Sequence, residues 1–113
     1  MIRYLDPLYT TEKTAGKTDV VKRSFRYGSG AVGLYLVTIA SNEQDVFDIF
    51  PIPLLKQRAF RHRDHDVIGI AESKEAAFAL VARIYGDYAH TYSNCAGIRS
   101  KLLDLLCEQE KKP

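Results

Sequence analysis

His62-Arg-Asp-His65-Asp66 is the one local cluster of metal-ligating side chains in this sequence. A zinc or iron site needs three or four nitrogen, sulfur or oxygen donors, and a His-x-x-His pair supplies two. His90, Cys95 and Cys107 are distant along the chain, and there is no closely spaced cysteine pair to complete a set. The simpler expectation is a solvated, charge-dense connector with no metal and no cofactor. An enzyme would have to use His62, His65 and an acid of the same connector. No Gly-x-Ser-x-Gly, P-loop or Gly-x-Gly-x-x-Gly stands elsewhere to support such chemistry, so no catalytic residue is assigned.

A second chemistry is phosphate recognition. Lys56, Arg58, Arg61 and Arg63 surround Phe60, a basic run with one aromatic ring. Cations of this kind neutralise a nucleic-acid backbone, and a ring can stack on a base. Lys22, Arg23 and Arg26 would extend the run if folding brings the two segments together. Asp64 and Asp66 inside the segment, and Glu43, Asp45 and Asp48 before it, weaken the field. The net charge of +2 is modest for a dedicated nucleic-acid module. Phe60 also has an ordinary core reading.

Tyr85, Tyr88 and Tyr92, with His90 nearby, stand at spacings of three and four and so lie along one side of a helix. They could line a pocket or a partner surface, or close the bottom of the core with their hydroxyls in water. Cys95 and Cys107 would sit about 18 Å apart on one continuous helix, too far for a disulfide. Free thiols and a cytoplasmic setting follow as expectations. No secretory leader is expected at the N-terminus, and the apolar run from Ala31 to Ala40 is too short to cross a membrane.

The elements that must position these residues read as follows. Val67 to Ala71 is a short apolar run suited to a buried strand. Ser73 then offers an N-cap, and Ala77, Leu80, Val81, Ile84, Tyr85 and Tyr88 form one apolar helical stripe. The Ala71-Glu-Ser73 turn lacks the glycines of a phosphate cradle. This βα unit is the clearest architecture in the chain. Val32 to Ala40, uncharged and β-branched, reads as the buried centre of a sheet. Asp19 to Tyr27 alternates polar and apolar residues and reads as a half-exposed strand, with Gly28-Ser-Gly30 closing a hairpin to the next strand. Ser41 or Asn42 would cap a helix over residues 43–50, ended by Pro51. Residues 53–60 could be helical or extended. Ser93 to Gly97 reads as a break, and Ile98, Leu102, Leu105 and Leu106 mark a last amphipathic helix. Residues 1–17 read as a mobile connector whose first ten residues dock through aromatics, and residues 108–113 as a solvated tail.

The 113 residues are long enough for one domain with its own core. The expected architecture is α+β, a two-layer sandwich of about three strands in a mixed sheet, in the order β-β-α-β-α-α, against helices. The second and third strands are expected to pair in parallel through a right-handed crossover. The expected function is a small cytoplasmic interaction module that binds another protein or itself. The Leu-rich last helix and the exposed-strand character of 19–27 support that reading. The alternative is nucleic-acid binding through the 56–63 connector and the 22–26 segment. No membrane partner is expected.

Overall fold

The computed structural model describes residues 2–28, 33–40, 46–88 and 95–110, with the backbone alone at 95, 96 and 110. The fold is α+β, as its composition and patterning predict. Its sheet has four strands in the order β1-β4-β2-β3. These are β1 (Ile2–Thr10), β2 (Tyr35–Ile39), β3 (Phe47–Pro51) and β4 (His65–Ala71). Four α-helices accompany them among the described residues: α1 (Thr18–Tyr27), α2 (Arg58–Arg61), α3 (Lys74–Tyr88) and α4 (Cys95–Glu110). A 3₁₀ turn at Ile52–Lys56 precedes α2.

The predicted βα unit is present. Val67, Ile68, Ile70 and Ala71 are fully buried, because β4 has a strand on each side and helices on each face. The Ser73 hydroxyl accepts a hydrogen bond from the Ala76 amide at 3.0 Å, which satisfies one of the orphan donors opening α3. β2 is the other inner strand, as its uncharged sequence predicts.

Three expectations are corrected. Asp19 to Tyr27 is helical, not a strand. The alternation that suggests period two is also compatible with period 3.6. Val21, Ser24 and Phe25 are buried at helical spacing, while Lys22, Arg23 and Arg26 point outward. Asp19 in the first turn and Arg26 in the last complement the helix dipole. Gly28 closes the helix at φ 70°, its amide bonded to Ser24 O. Buried Ser24 donates its hydroxyl to Val20 O, so no polar group is stranded.

The helix expected over 43–50 is instead the strand β3 in its described part. The eight residues expected to be helical fall short of the ~12 that hold a helix unaided, and β2 offers a full antiparallel ladder from Tyr35↔Pro51 to Ile39↔Phe47. Phe50 points into the core while Asp48 and Pro51 face water, and a proline at the sheet edge costs no ladder bond. The Ser41 and Asn42 caps lie outside the described residues. Finally, β2 and β4 pair antiparallel, because β3 and not 19–27 is the hairpin partner of β2. Parallel pairing does occur, between β4 and β1.

Residues 2–10 thus contribute a whole strand, beyond the aromatic docking expected of them. β1 leaves β4 after Tyr4↔Val67 and returns at Tyr9↔Gly69, arching over residues 5–8. Where it returns, a Cβ on Gly69 would meet Tyr9 O at 2.9 Å, so only glycine lets the two backbones approach. The outer edge of β1 is guarded. The Gln109 side-chain amide accepts from Asp6 N at 3.2 Å and donates to Asp6 O at 2.8 Å, as a neighbouring strand would. Arg3 holds Asp66 with two bonds of 2.7 and 3.0 Å across the directly opposed pair. The turn after β1 is tied down by Thr14, fully buried, whose hydroxyl donates to Ile70 O at 2.9 Å.

Opposite β2, the register slips so that Ile68 is the extra residue of a bulge. Val67 and Ile70 therefore face one side, and Ile68 and Ala71 the other. On the first side, Val21 and Phe25 of α1 and Ile52 and Leu55 of the 3₁₀ turn complete a core with Leu36 and Phe50. On the second, α3 contributes Ala77, Leu80 and Ile84, and α4 contributes Ile98, Leu102 and Leu106. The helix layer predicted for one face is thus joined by a thinner layer on the other.

Candidate nucleic-acid interface

Ten residues of α1 span about 15 Å. Its buried stripe fixes the opposite stripe in water, and there Lys22, Arg23, Arg26 and Tyr27 line one shallow depression of about 370 Å³ together with Asp19. The spacing of three and four along this row makes it continuous.

The C-terminal end of α1 meets the basic run. A Cβ on Gly28 would fall on the Arg61 guanidinium, so the glycine that ends α1 also makes room for α2. Arg61 is half-buried and acts as a strut, its Nη1 donating to Leu55 O at 3.2 Å. Phe25 of α1 then lines a second depression, of about 230 Å³, with Ile2, Arg61, His62 and Arg63. Two basic segments remote in sequence are thereby neighbours. Exposed Lys56 and Arg58 stand just before this junction.

Among the described residues none of Lys22, Arg23, Arg26 or Arg63 has a carboxylate partner. Instead, three of them rest on aromatic faces. Lys22 Nζ lies 5.4 Å from the Tyr4 centroid, Arg26 lies 5.4 Å from that of Tyr27, and Arg63 lies 5.5 Å from that of Phe60. Such contacts orient a cation without neutralising it. Asp66, which weakens the run when only sequence order is considered, is held by Arg3.

Phe60 is core. Its ring packs edge-on to Phe50 at 4.9 Å and against His65 at 5.0 Å, and Arg63 covers another approach. His65 is buried on β4, not solvated in a connector. Its ring lies among Phe25, Phe50 and Phe60, with Nε2 2.8 Å from Phe60 O. That leaves His62 exposed and no ligand pair. No group of three metal-ligating side chains occurs among the described residues.

Tyr85 and Tyr88 lie on the other side of the sheet. Both are half-buried against the α4 core, and Tyr85 stacks edge-on to Phe47 at 5.7 Å. Tyr92, His90 and the side chain of Cys95 lie outside the described residues. Cys107 is an exposed free thiol, with Arg3 Nη1 3.4 Å from its sulfur. Gly97, expected in a break, is inside α4.

Tyr27 does not stand out when 19–27 is taken for a strand. It is 65% exposed and, with Phe78, one of two large exposed apolar side chains among the described residues. The signal in the sequence that points to it is Gly28. As a helix C-cap, that glycine makes 18–27 helical and sets Tyr27 beside Arg23 and Arg26.

Comparison of the chain with protein-family models, with curated proteins and with solved structures finds no match.

Proposed function

We propose that this protein binds nucleic acid through the face formed by the outer stripe of α1 and the run from Lys56 to Arg63. One observation carries the reading: two remote basic segments, whose cations have no carboxylate partners among the described residues, meet at the Gly28–Arg61 contact. The two segments that meet there carry seven cations (Lys22, Arg23, Arg26, Lys56, Arg58, Arg61 and Arg63) against Asp19 and Asp64. Such a local excess attracts a phosphate backbone even where the net charge of the chain is small.

The competing reading is a module for protein contacts or self-association. Two sequence features favour it, and the fold weakens both. The leucines of the last helix are buried or half-buried against the second core, and 19–27 is a helix rather than an exposed strand. No described helix is long and apolar enough to cross a membrane. A cytoplasmic setting rests on the cysteine usage alone.

Fluorescence anisotropy of a labelled 20-mer oligonucleotide tests the proposal. Log affinity should fall linearly with log salt, with a slope reflecting about three to four neutralised phosphates. The double variant Arg23→Glu/Arg26→Glu should lower affinity at least tenfold and reduce the slope by about two. Absence of binding at 50 mM salt, or an unchanged affinity in that variant, refutes the reading.

A further inference from the structure

We infer that the nucleic acid held on this face is single-stranded, with one base stacked on Tyr27. The inference rests on the proposed basic face and adds what kind of strand that face accepts. Tyr27 lies at the C-terminal end of the cationic row and shares its depression with Lys22, Arg23 and Arg26. Arg26 sits over the ring at 5.4 Å, yet Tyr27 remains 65% exposed. One cation therefore steadies the ring while much of it stays open.

That geometry suits an unpaired base. A duplex shows a protein its phosphates and groove edges and keeps its base faces stacked on one another, so an exposed ring beside the cations would meet only charged backbone. A single strand turns out base faces, which stack on aromatic rings without regard to sequence while neighbouring cations follow the phosphates. Arg23 and Arg26 flank Tyr27 closely enough on the helix surface to do so. Phe60, the ring inside the 56–63 run, is a poorer platform, being half-buried, packed edge-on to Phe50 and against His65, with Arg63 over its ring.

The test compares labelled dT20 with a mixed-sequence 20-base-pair duplex at 50 mM salt, by anisotropy. dT20 should bind at least tenfold more tightly. Tyr27→Ala should weaken dT20 about tenfold, within the range set by stacking of one base, and leave the duplex unchanged. Tyr27→Phe should retain binding, and Phe78→Ala, on α3 across the sheet, should have no effect. The chain contains no tryptophan, so Tyr27→Trp gives a single reporter whose emission should be quenched by dT20. Duplex binding as tight as dT20, or dT20 binding unchanged in Tyr27→Ala, overturns the single-strand inference while leaving the basic face standing. Failure of wild-type protein to bind either oligonucleotide overturns both.

Discussion

On one side of the sheet, α3 and α4 run for 15 and 16 residues and turn their apolar stripes inward; on the other, α1 and α2 are ten and four residues long. The long helices carry no cationic excess: Lys74 and Arg83 against Glu75 and Asp87 on α3, and Arg99 and Lys101 against Asp104, Glu108 and Glu110 on α4. The short ones carry Lys22, Arg23, Arg26, Arg58 and Arg61 against Asp19 alone. Two helices of just over four turns can close a core and leave a surface without cationic excess. A short helix with a three-residue buried stripe covers its core and still gives up its whole outer row to charge. Under the proposed function this contrast is a division of labour, with stability resting mainly on the α3/α4 side and the proposed polyanion contact on the α1/α2 side.

The most severe way to break this division is to remove packing from the long-helix side. Leu102 is fully buried, and Leu102→Ala should cost about 2–5 kcal/mol of unfolding free energy in urea. Oligonucleotide affinity of the remaining folded protein should not change. A loss below 1 kcal/mol, or an affinity change in folded protein, would mean that the two sides are not separate. By contrast, Arg23→Glu/Arg26→Glu should cost no more than about 1 kcal/mol, from negative charge placed in the last turn of α1.

A smaller effect is expected at the seam between β1 and β4. Gly69→Ala places a methyl 2.9 Å from Tyr9 O and should cost about 1–3 kcal/mol, read as a lower urea midpoint with an unchanged slope. An unaltered midpoint would show that β1 can move away freely, contrary to the tight return of its register at Tyr9.

The smallest effect sharpens the short-helix side. Burial pushes the Tyr4 phenol up to about 12, and Tyr4 packs edge-on to Phe25 of α1 at 6.0 Å. In the unfolded chain this group ionises near 10. Because its folded pKa is raised, the folded state holds the proton more tightly. The resulting stability is fully present below pH 10 and is lost as pH rises from 10 towards 12. Tyr4→Phe should therefore flatten the alkaline decline in stability between pH 10 and 12. Equal declines in the two proteins would show that Tyr4 ionises freely in place.

Much of the long-helix side is legible directly from the chain. Ser73, the stripe from Ala77 to Tyr88, and the run from Ile98 to Leu106 each carry their signal within a few helical turns. The candidate site is half legible. Lys22, Arg23, Arg26, Arg61 and Arg63 are identifiable as cations, but their adjacency depends on Gly28 meeting Arg61. Tyr27 is hidden whenever its segment is given a period of two. Within Asp19–Tyr27, Val21 and Phe25 satisfy a spacing of two and a spacing of four equally well, and only Gly28 breaks the tie.

By itself, the sequence determined the class of fold, the central βα unit and the burial of β2, because these rest on local composition and on periods long enough to be unambiguous. Tertiary structure decided the rest. Phe47–Pro51 became a strand because β2 offered it a ladder, and Ile2–Thr10 because β4 had an open edge. His65 became a core residue because three phenylalanines from separate segments enclose it. The basic face exists for the same reason. Charge is written residue by residue along the chain, but a surface potential depends on which residues the fold brings together.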